Sequence, residues 1–170
     1  MTKVYLKVPF AEKDAAKVLG ARWDEINRDE RMWTVAGSRM KAGREHRVPL
    51  SARALELLKE AAAISGDEPF VFAGRTAGTP LSNMALLMVL RRMKRDDITA
   101  HGFRSAFRDW AAEKTNVPRA VCEAALAHVV RDKTEAAYFR SDLFDLRRKL
   151  MNQWAAFATA APGEVVSIQR

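Results

Sequence analysis

The chain has 170 residues, of which 48% are hydrophobic, 29% charged and 8% aromatic, which is enough apolar content for one packed domain and excludes global disorder. Twenty-nine Lys and Arg oppose 21 Asp and Glu, a net charge of +8; such a balance favours a polyanion, nucleic acid being the usual one, over the alternative of a solvated basic surface without a specific partner. The longest apolar run, Met84 to Leu90, is too short to span a bilayer, the start shows no secretory pattern, and the single Cys122 excludes an internal disulfide and a multi-cysteine zinc site.

Val4 to Val8 reads as a short strand, and Ala11 to Leu19 as a helix stopped at Gly20. Trp33 to Val35 is a second strand signal. Arg39 to Leu50 reads as a hairpin around Ala42-Gly43, with His46 to Val48 returning as a strand. Ser51 is placed to cap a helix over Ala52 to about Ile64, with Leu55, Leu58 and Ala62 as its apolar stripe. A loop rich in Gly and Pro follows to Pro80, with a short strand at Phe70-Val71-Phe72. Ser82 then caps an apolar helix ending in Arg91-Arg92-Met93-Lys94-Arg95. Thr99 caps a helix to about Lys114, Pro118 opens another to about Val130, and a short helix around Asp132 to Phe139 carries Tyr138. Ser141 caps the last helix, where Leu143, Leu146, Leu150, Trp154 and Phe157 recur near the helical period until Pro162. The sum is α+β and mainly α, helical with a small antiparallel sheet near the N-terminus.

Three stretches carry chemistry. In the helix from His101, Phe103, Ala106, Phe107 and Trp110 share one face, while His101, Arg104 and Arg108 share the other. An imidazole one turn from a guanidinium at a helix start suits a phosphate, because the guanidinium fork matches phosphate oxygens and the imidazole moves protons near neutral pH. Taken alone, the same pattern is what a solvated polar helix face looks like. His128 shares a face with Val121, Ala124 and Ala125, where a histidine is more often a satisfied core residue. Tyr138 is by itself a packing residue; a tyrosine becomes a covalent nucleophile only where bases and cations stabilise its phenolate. His46, His101 and His128 show no metal-ligand spacing, so no metal is expected.

Together, His101-x-x-Arg104, then Leu126-Ala127-His128, then Tyr138 resemble the signature of tyrosine recombinases. Met40 to Ser51 (MKAGREHRVPLS) is similar to the hairpin of the phage-integrase branch. His101 to Trp110, Glu123 to Val130 and Ala136 to Phe144 are similar to its catalytic boxes. The resemblance covers roughly Gly20 to Phe157. It implies the tyrosine-recombinase catalytic fold and site-specific DNA recombination or integration, in which Tyr138 attacks a scissile phosphate and forms a 3′-phosphotyrosyl bond that a 5′-hydroxyl later reverses. It implies that Arg104 clamps a non-bridging oxygen, His101 assists proton transfer, His128 hydrogen-bonds the same phosphate, and Lys41 protonates the leaving 5′-oxygen. No cofactor is implied. Without the other boxes, Lys41 is simply an exposed hairpin lysine. The partner implied is double-stranded DNA at an attachment site, with self-association on it and with neither a membrane nor a small-molecule substrate. The expected compartment is cytoplasmic, at the nucleoid of a bacterium or phage host. Arg44, Arg47, Arg91, Arg92 and Arg108 are candidates for DNA backbone contacts, against the alternative of a solvated basic surface.

The sequence also departs from the family pattern. The family carries a second clamping arginine upstream of the hairpin, and counting back from Val18 that position holds Asp14. A carboxylate about 4 Å from a phosphate charge repels it by roughly 4 kcal/mol at an effective dielectric of about 20. Lys13 and Lys17 are neighbouring cations, but each is a point charge rather than a fork. The stretch Tyr5 to Asp24 is similar to a small uncharacterised domain of plasmid and mobile-element proteins. The expected organisation is therefore an atypical segment 1–19, an integrase-like catalytic domain 20–160 and a flexible tail 161–170, lacking the arm-binding and core-binding domains that normally precede the catalytic one. The expected outcome is a recombinase of weakened chemistry; the alternative is a non-catalytic DNA-binding remnant or modulator of a full-length integrase.

Overall fold

The computed structural model describes residues 12–95, 97–128 and 142–160, the side chains of 12–15, 100 and 101 excepted. The expected strand Val4 to Val8 and the short helix carrying Tyr138 lie outside the described residues, as do the side chains of Asp14 and His101. Six α-helices and a three-stranded antiparallel sheet make up the regular structure among the described residues, in agreement with the expected fold class.

Helix α1 spans Glu12–Leu19 and stops at Gly20, whose N–H returns to the Ala16 carbonyl at 2.9 Å. A single 3-10 turn, Trp23–Glu25, leads into β1, Ile26–Asn27, which the sequence reading missed. Two residues are too few for a periodic signal. Strand β1 pairs with β2, Met32–Val35, in the register Ile26 to Trp33 and Asn27 to Met32. Strand β2 pairs in turn with β3, His46–Pro49, with Trp33 opposite Val48 and Val35 opposite His46. The hairpin is thus wider than expected. Its outgoing arm ends at Val35, and Ala42-Gly43 lies in the connecting loop rather than at a tight turn. Within that loop Gly37 packs so closely on Gly43 that an added Cβ would sit 2.7 Å from the Gly43 carbonyl oxygen, and Gly43 itself has φ +65°.

Helix α2, Ala52–Ser65, begins where expected; the Ser51 hydroxyl accepts from the Ala54 N–H at 3.2 Å. The expected strand at Phe70-Val71-Phe72 does not form. Phe70 makes an isolated bridge with Arg22, and Ala73, just beyond the segment, makes another with Pro80. Helix α3, Ala85–Arg92, starts two residues later than expected. Ser82 offers its backbone carbonyl to the Ala85 N–H rather than a side-chain cap, and Met84 occupies the N-cap. Helix α4, Ala100–Lys114, is capped by Thr99, whose Oγ1 accepts from the Gly102 N–H at 3.1 Å. Helix α5, Arg119–Ala125, ends well short of Val130. Helix α6, Phe144–Thr159, has Leu143 at its N-cap in the left-handed region, and Ser141 lies outside the described residues.

Two apolar clusters hold these elements. Phe107, Trp110 and Ala111 of α4 pack on Val121, Cys122 and Leu126 at α5 and on Leu150 and Trp154 of α6. Phe107 meets Trp154 edge-on with ring centres 5.4 Å apart, a favoured aromatic geometry. The second cluster joins Ala21, Trp33, Val35 and Val48 to Ala61 and Val71. The expected apolar faces need correction at their margins. Ala106, Leu146 and Phe157 are exposed, and Ala111 takes the inward place expected of Ala106.

Candidate active site

Arg104 and His128 are both tied to the turn that ends α5, Arg104 through Leu126 and His128 through Glu123. Arg104 is half-buried on α4, one turn before Phe107, and its Nη2 donates to the Leu126 carbonyl at 2.7 Å. That carbonyl is one of those a helix C-terminus leaves without an intrahelical donor. Leu126 is itself buried, so Arg104 is tied to a fixed point of the core.

The turn closes as a left-handed helix C-terminus. The Ala127 N–H bonds the Ala124 carbonyl at 3.1 Å, the His128 N–H bonds the Glu123 carbonyl at 2.9 Å, and Ala127 has φ +53°. This is the paired bonding of a C-cap that glycine usually supplies, here carried by alanine at a conformational cost. His128 therefore lies beyond the helix, exposed, and is not a core histidine. The expectation that it sits on a helix fails because the chain leaves the helical path at Ala127.

The same turn brings the His128 ring over Glu123, and Nδ1 bonds Oε2 of that carboxylate. Glu123 Oε1 lies 3.2 Å from Arg108 Nη2 and 3.8 Å from Arg119 Nε. Burial pushes the Glu123 carboxyl upward, but the His128 hydrogen bond and the charges of His128, Arg108 and Arg119 outweigh it, leaving it below its ordinary value. Burial, with the Glu123 charge, raises the neighbouring Cys122 thiol, whose side chain belongs to the core rather than to the site.

The hairpin forms the opposite wall. Arg39, in its loop, bonds Glu25 through Nη1 and the Lys17 carbonyl through Nη2, anchoring the loop base to α1. Glu25 also accepts from Trp33 Nε1 at 3.0 Å. A small pocket of about 20 Å³, room for roughly one water, is lined by Lys17, Met40, His46, Arg104 and Leu126 among others, so α1, β3 and α4 converge there. Lys41 and Arg44 are exposed in the loop beyond Arg39. Arg47 is held on the return strand: its Nη2 lies 2.7 Å from Asp142 Oδ2 and its guanidinium stands 4.8 Å over the Phe144 ring. Beneath it Arg147 is 1% exposed; it donates to the Arg47 carbonyl at 2.7 Å, the Asp142 carbonyl at 2.7 Å and Asp142 Oδ2 at 3.0 Å.

Of the residues singled out from sequence, Arg104, Arg108 and His128 are thus gathered at one turn. Lys41, Arg44 and Arg47 stand on the hairpin, and Arg91 and Arg92 are exposed at the end of α3. Arg47 and Arg108 each already face a carboxylate. Tyr138 lies outside the described residues. Glu123, Arg39 and Arg147 were missed. Two of them left a signal: Glu123 is the sole carboxylate in the run from Val121 to Val130, and Arg147 falls on the buried phase of its helix, between Leu143 and Leu150.

A model of the phage integrase family matches residues 15–143. The chain belongs to the phage integrase family. It is 36% identical over 148 residues to prophage integrase IntA of Escherichia coli, a match covering 86% of this chain and 36% of that protein. It is 32% identical over 186 residues to the integrase of Enterobacteria phage P4, covering 99% of this chain and 42% of that protein. The chain therefore spans roughly two fifths or less of these curated relatives. Among solved structures, the integrase from mycobacterium phage Brujita superposes with a TM-score of 0.65 at 20% identity, over 95% of this chain and 54% of that one, which bears out the integrase fold. No helix among the described residues is long and apolar enough to cross a membrane.

Proposed function

We propose that this chain is the catalytic part of a site-specific tyrosine recombinase that breaks and rejoins duplex DNA. The observation that carries the reading is the junction of α4 and α5: Arg104 and His128, 24 positions apart, are drawn to one turn by the Arg104 bond to Leu126 and the Glu123 bond to His128. A guanidinium fork and an imidazole on a shared frame suit the non-bridging oxygens of a phosphodiester.

In this reading Tyr138 attacks the phosphorus, its phenol proton passes to His101, and the P–O bond to the 5′-oxygen breaks as Lys41 protonates that oxygen. The bond energy stays in the 3′-phosphotyrosyl link, so neither metal nor nucleotide hydrolysis is called for, and a 5′-hydroxyl reverses the step. Arg104 and His128 meet the developing charge on the phosphorane. Exposed Lys41 and Arg44 suit contacts to a DNA backbone, as do Arg91 and Arg92. Arg47 and Arg108 are the weaker candidates, since each already faces a carboxylate.

A second reading, a DNA-binding module without turnover, is favoured by Asp14 at the upstream arginine position. One experiment separates them. A nicked suicide duplex, taken from DNA flanking the coding sequence, is incubated with wild type, Tyr138→Phe and Asp14→Arg. A covalent adduct in wild type that vanishes in Tyr138→Phe supports strand transfer. An adduct only in Asp14→Arg means a site disabled at that one position. DNA binding without any adduct supports the second reading.

A further inference from the structure

We propose that Glu123 is the positioning residue of His128: its carboxylate selects the ring nitrogen that His128 offers to the phosphate and ties that ring to Arg108. The inference rests on the reading that His128 faces a phosphate. It adds a residue which that reading does not assign.

The argument starts from the backbone. Helix α5 must end at Ala125 because Ala127 turns into the left-handed region. That reversal carries His128 back over the last helical turn, and its N–H bonds the Glu123 carbonyl. Main chain and side chain of His128 therefore engage the same residue, the ring through Nδ1 on Oε2. Two bonds between one pair of residues fix both the position of the Cα and the rotation of the ring. A carboxylate can only accept, so Nδ1 carries the proton and Nε2 is the nitrogen left for a substrate. In the neutral ring Nε2 accepts; in the protonated ring it donates to a phosphate oxygen while Glu123 balances the charge.

The second carboxylate oxygen extends the device. Oε1 is buried without a well-aligned hydrogen bond among the described residues, yet it faces Arg108 at 3.2 Å and Arg119 at 3.8 Å. Arg108 stands one turn beyond Arg104 on α4. Glu123 thus lies between the helix that supplies the guanidinium clamp and the turn that supplies the imidazole. It holds their spacing from α5 while the Arg104 bond to Leu126 holds it from α4.

The ring nitrogens of His128 report the answer directly. Long-range proton–nitrogen NMR on wild type, Glu123→Gln and Glu123→Ala reads the tautomer without any target DNA. We expect the Nδ1-protonated form in wild type and a shift toward the Nε2-protonated form, which free imidazole favours, in Glu123→Ala. Glu123→Gln keeps volume and an acceptor and should lie between them. On the suicide duplex at saturating DNA, Glu123→Ala should slow adduct formation about 10- to 100-fold, as loss of a ring-orienting partner does elsewhere, with partial rescue by Glu123→Gln. In the His128→Ala background, Glu123→Ala should add nothing further. Identical ring shifts in wild type and Glu123→Ala would overturn the inference and leave strand transfer standing, as would additive losses in the double variant. A wild type that forms no adduct, with ring shifts that still follow Glu123, would overturn the strand-transfer reading while upholding the coupling. Urea unfolding of each variant identifies one that fails to fold; Glu123→Gln then carries the test.

Discussion

The two walls of the site are held in different ways. On the α4–α5 side every residue of the turn is bonded: Leu126 to Arg104, Ala127 to Ala124, and His128 twice to Glu123. On the hairpin side the base and the return strand are fastened, by Arg39 to Glu25 and Lys17 and by Arg147 to the Arg47 carbonyl, while Lys41 to Glu45 are exposed. The lesson is that inward arginines in this basic chain do two jobs. Arg39 and Arg147 fasten main chain, whereas Arg104 fastens main chain and also borders the pocket. In the proposed reading, a group that must meet a phosphate at fixed distance is locked, and one that must reach outward is left on a loop.

The contrast breaks hardest at Arg104. Arg104→Ala should reduce adduct formation on the suicide duplex about 100- to 1,000-fold, and leave the Leu126 carbonyl without that donor, for about 1–3 kcal/mol of stability. A smaller stability loss with the same kinetic loss would show that the turn closes without it. Arg147→Met removes the cation on which the return strand hangs and should cost about 3 kcal/mol in urea unfolding; a loss under about 1 kcal/mol would mean that the hairpin stands without α6. Gly37→Ala puts a methyl against the Gly43 carbonyl and should cost roughly 1–3 kcal/mol by forcing the loop open. It should slow any Lys41-dependent step while leaving the His128 ring signals in place. Ala127→Gly relieves a left-handed alanine and should raise stability by about 0.5–1 kcal/mol, read as a higher unfolding midpoint.

Acid tests the carboxylates behind both walls. Glu123 and Asp142 each titrate below their ordinary values in the folded chain; burial works upward on both, but His128 with Arg108 and Arg119 at one, and Arg47 with Arg147 at the other, work downward more strongly. Their contribution to stability is thus full above the ordinary carboxylate range and is lost as the pH falls through and below it. Thermal unfolding between neutral pH and about pH 3 should show this loss, reduced in Glu123→Gln.

Local signals were legible where local chemistry decides the outcome. Ser51 and Thr99 cap helices because a hydroxyl one residue ahead can accept an orphan N–H. Gly20 stops α1, and the β2 and β3 segments read directly as strands. What sequence left dark depends on contacts far along the chain. Strand β1 exists because Trp33 and Met32 pair with it, and Phe70 to Phe72 meets no full partner strand among the described residues, so of these β-prone residues Phe70 alone forms a bridge there. The C-terminus of α5 was hidden because an alanine, not a glycine, takes the left-handed turn. At the site, Arg104 and His128 were visible as residue types at a spacing, but the frame that joins them was not, since Glu123 reads as one more helix carboxylate until the turn folds His128 back upon it.

One bond reaches further than its length of 2.7 Å. Arg147 meets the Arg47 carbonyl across 100 positions of sequence, and Arg148 reaches the Glu30 carbonyl across 118. A ribosome that has just delivered the hairpin has not yet made the residues that fasten it. Strand pairing of β2 with β3 can begin early, but its last fastening must wait for α6, so loop-closure entropy places that step late in folding. On a nascent chain the candidate site therefore has a hairpin before it has a locked one, and truncations that stop ahead of Arg147 should leave the return strand open to proteases while β2 and β3 are already paired.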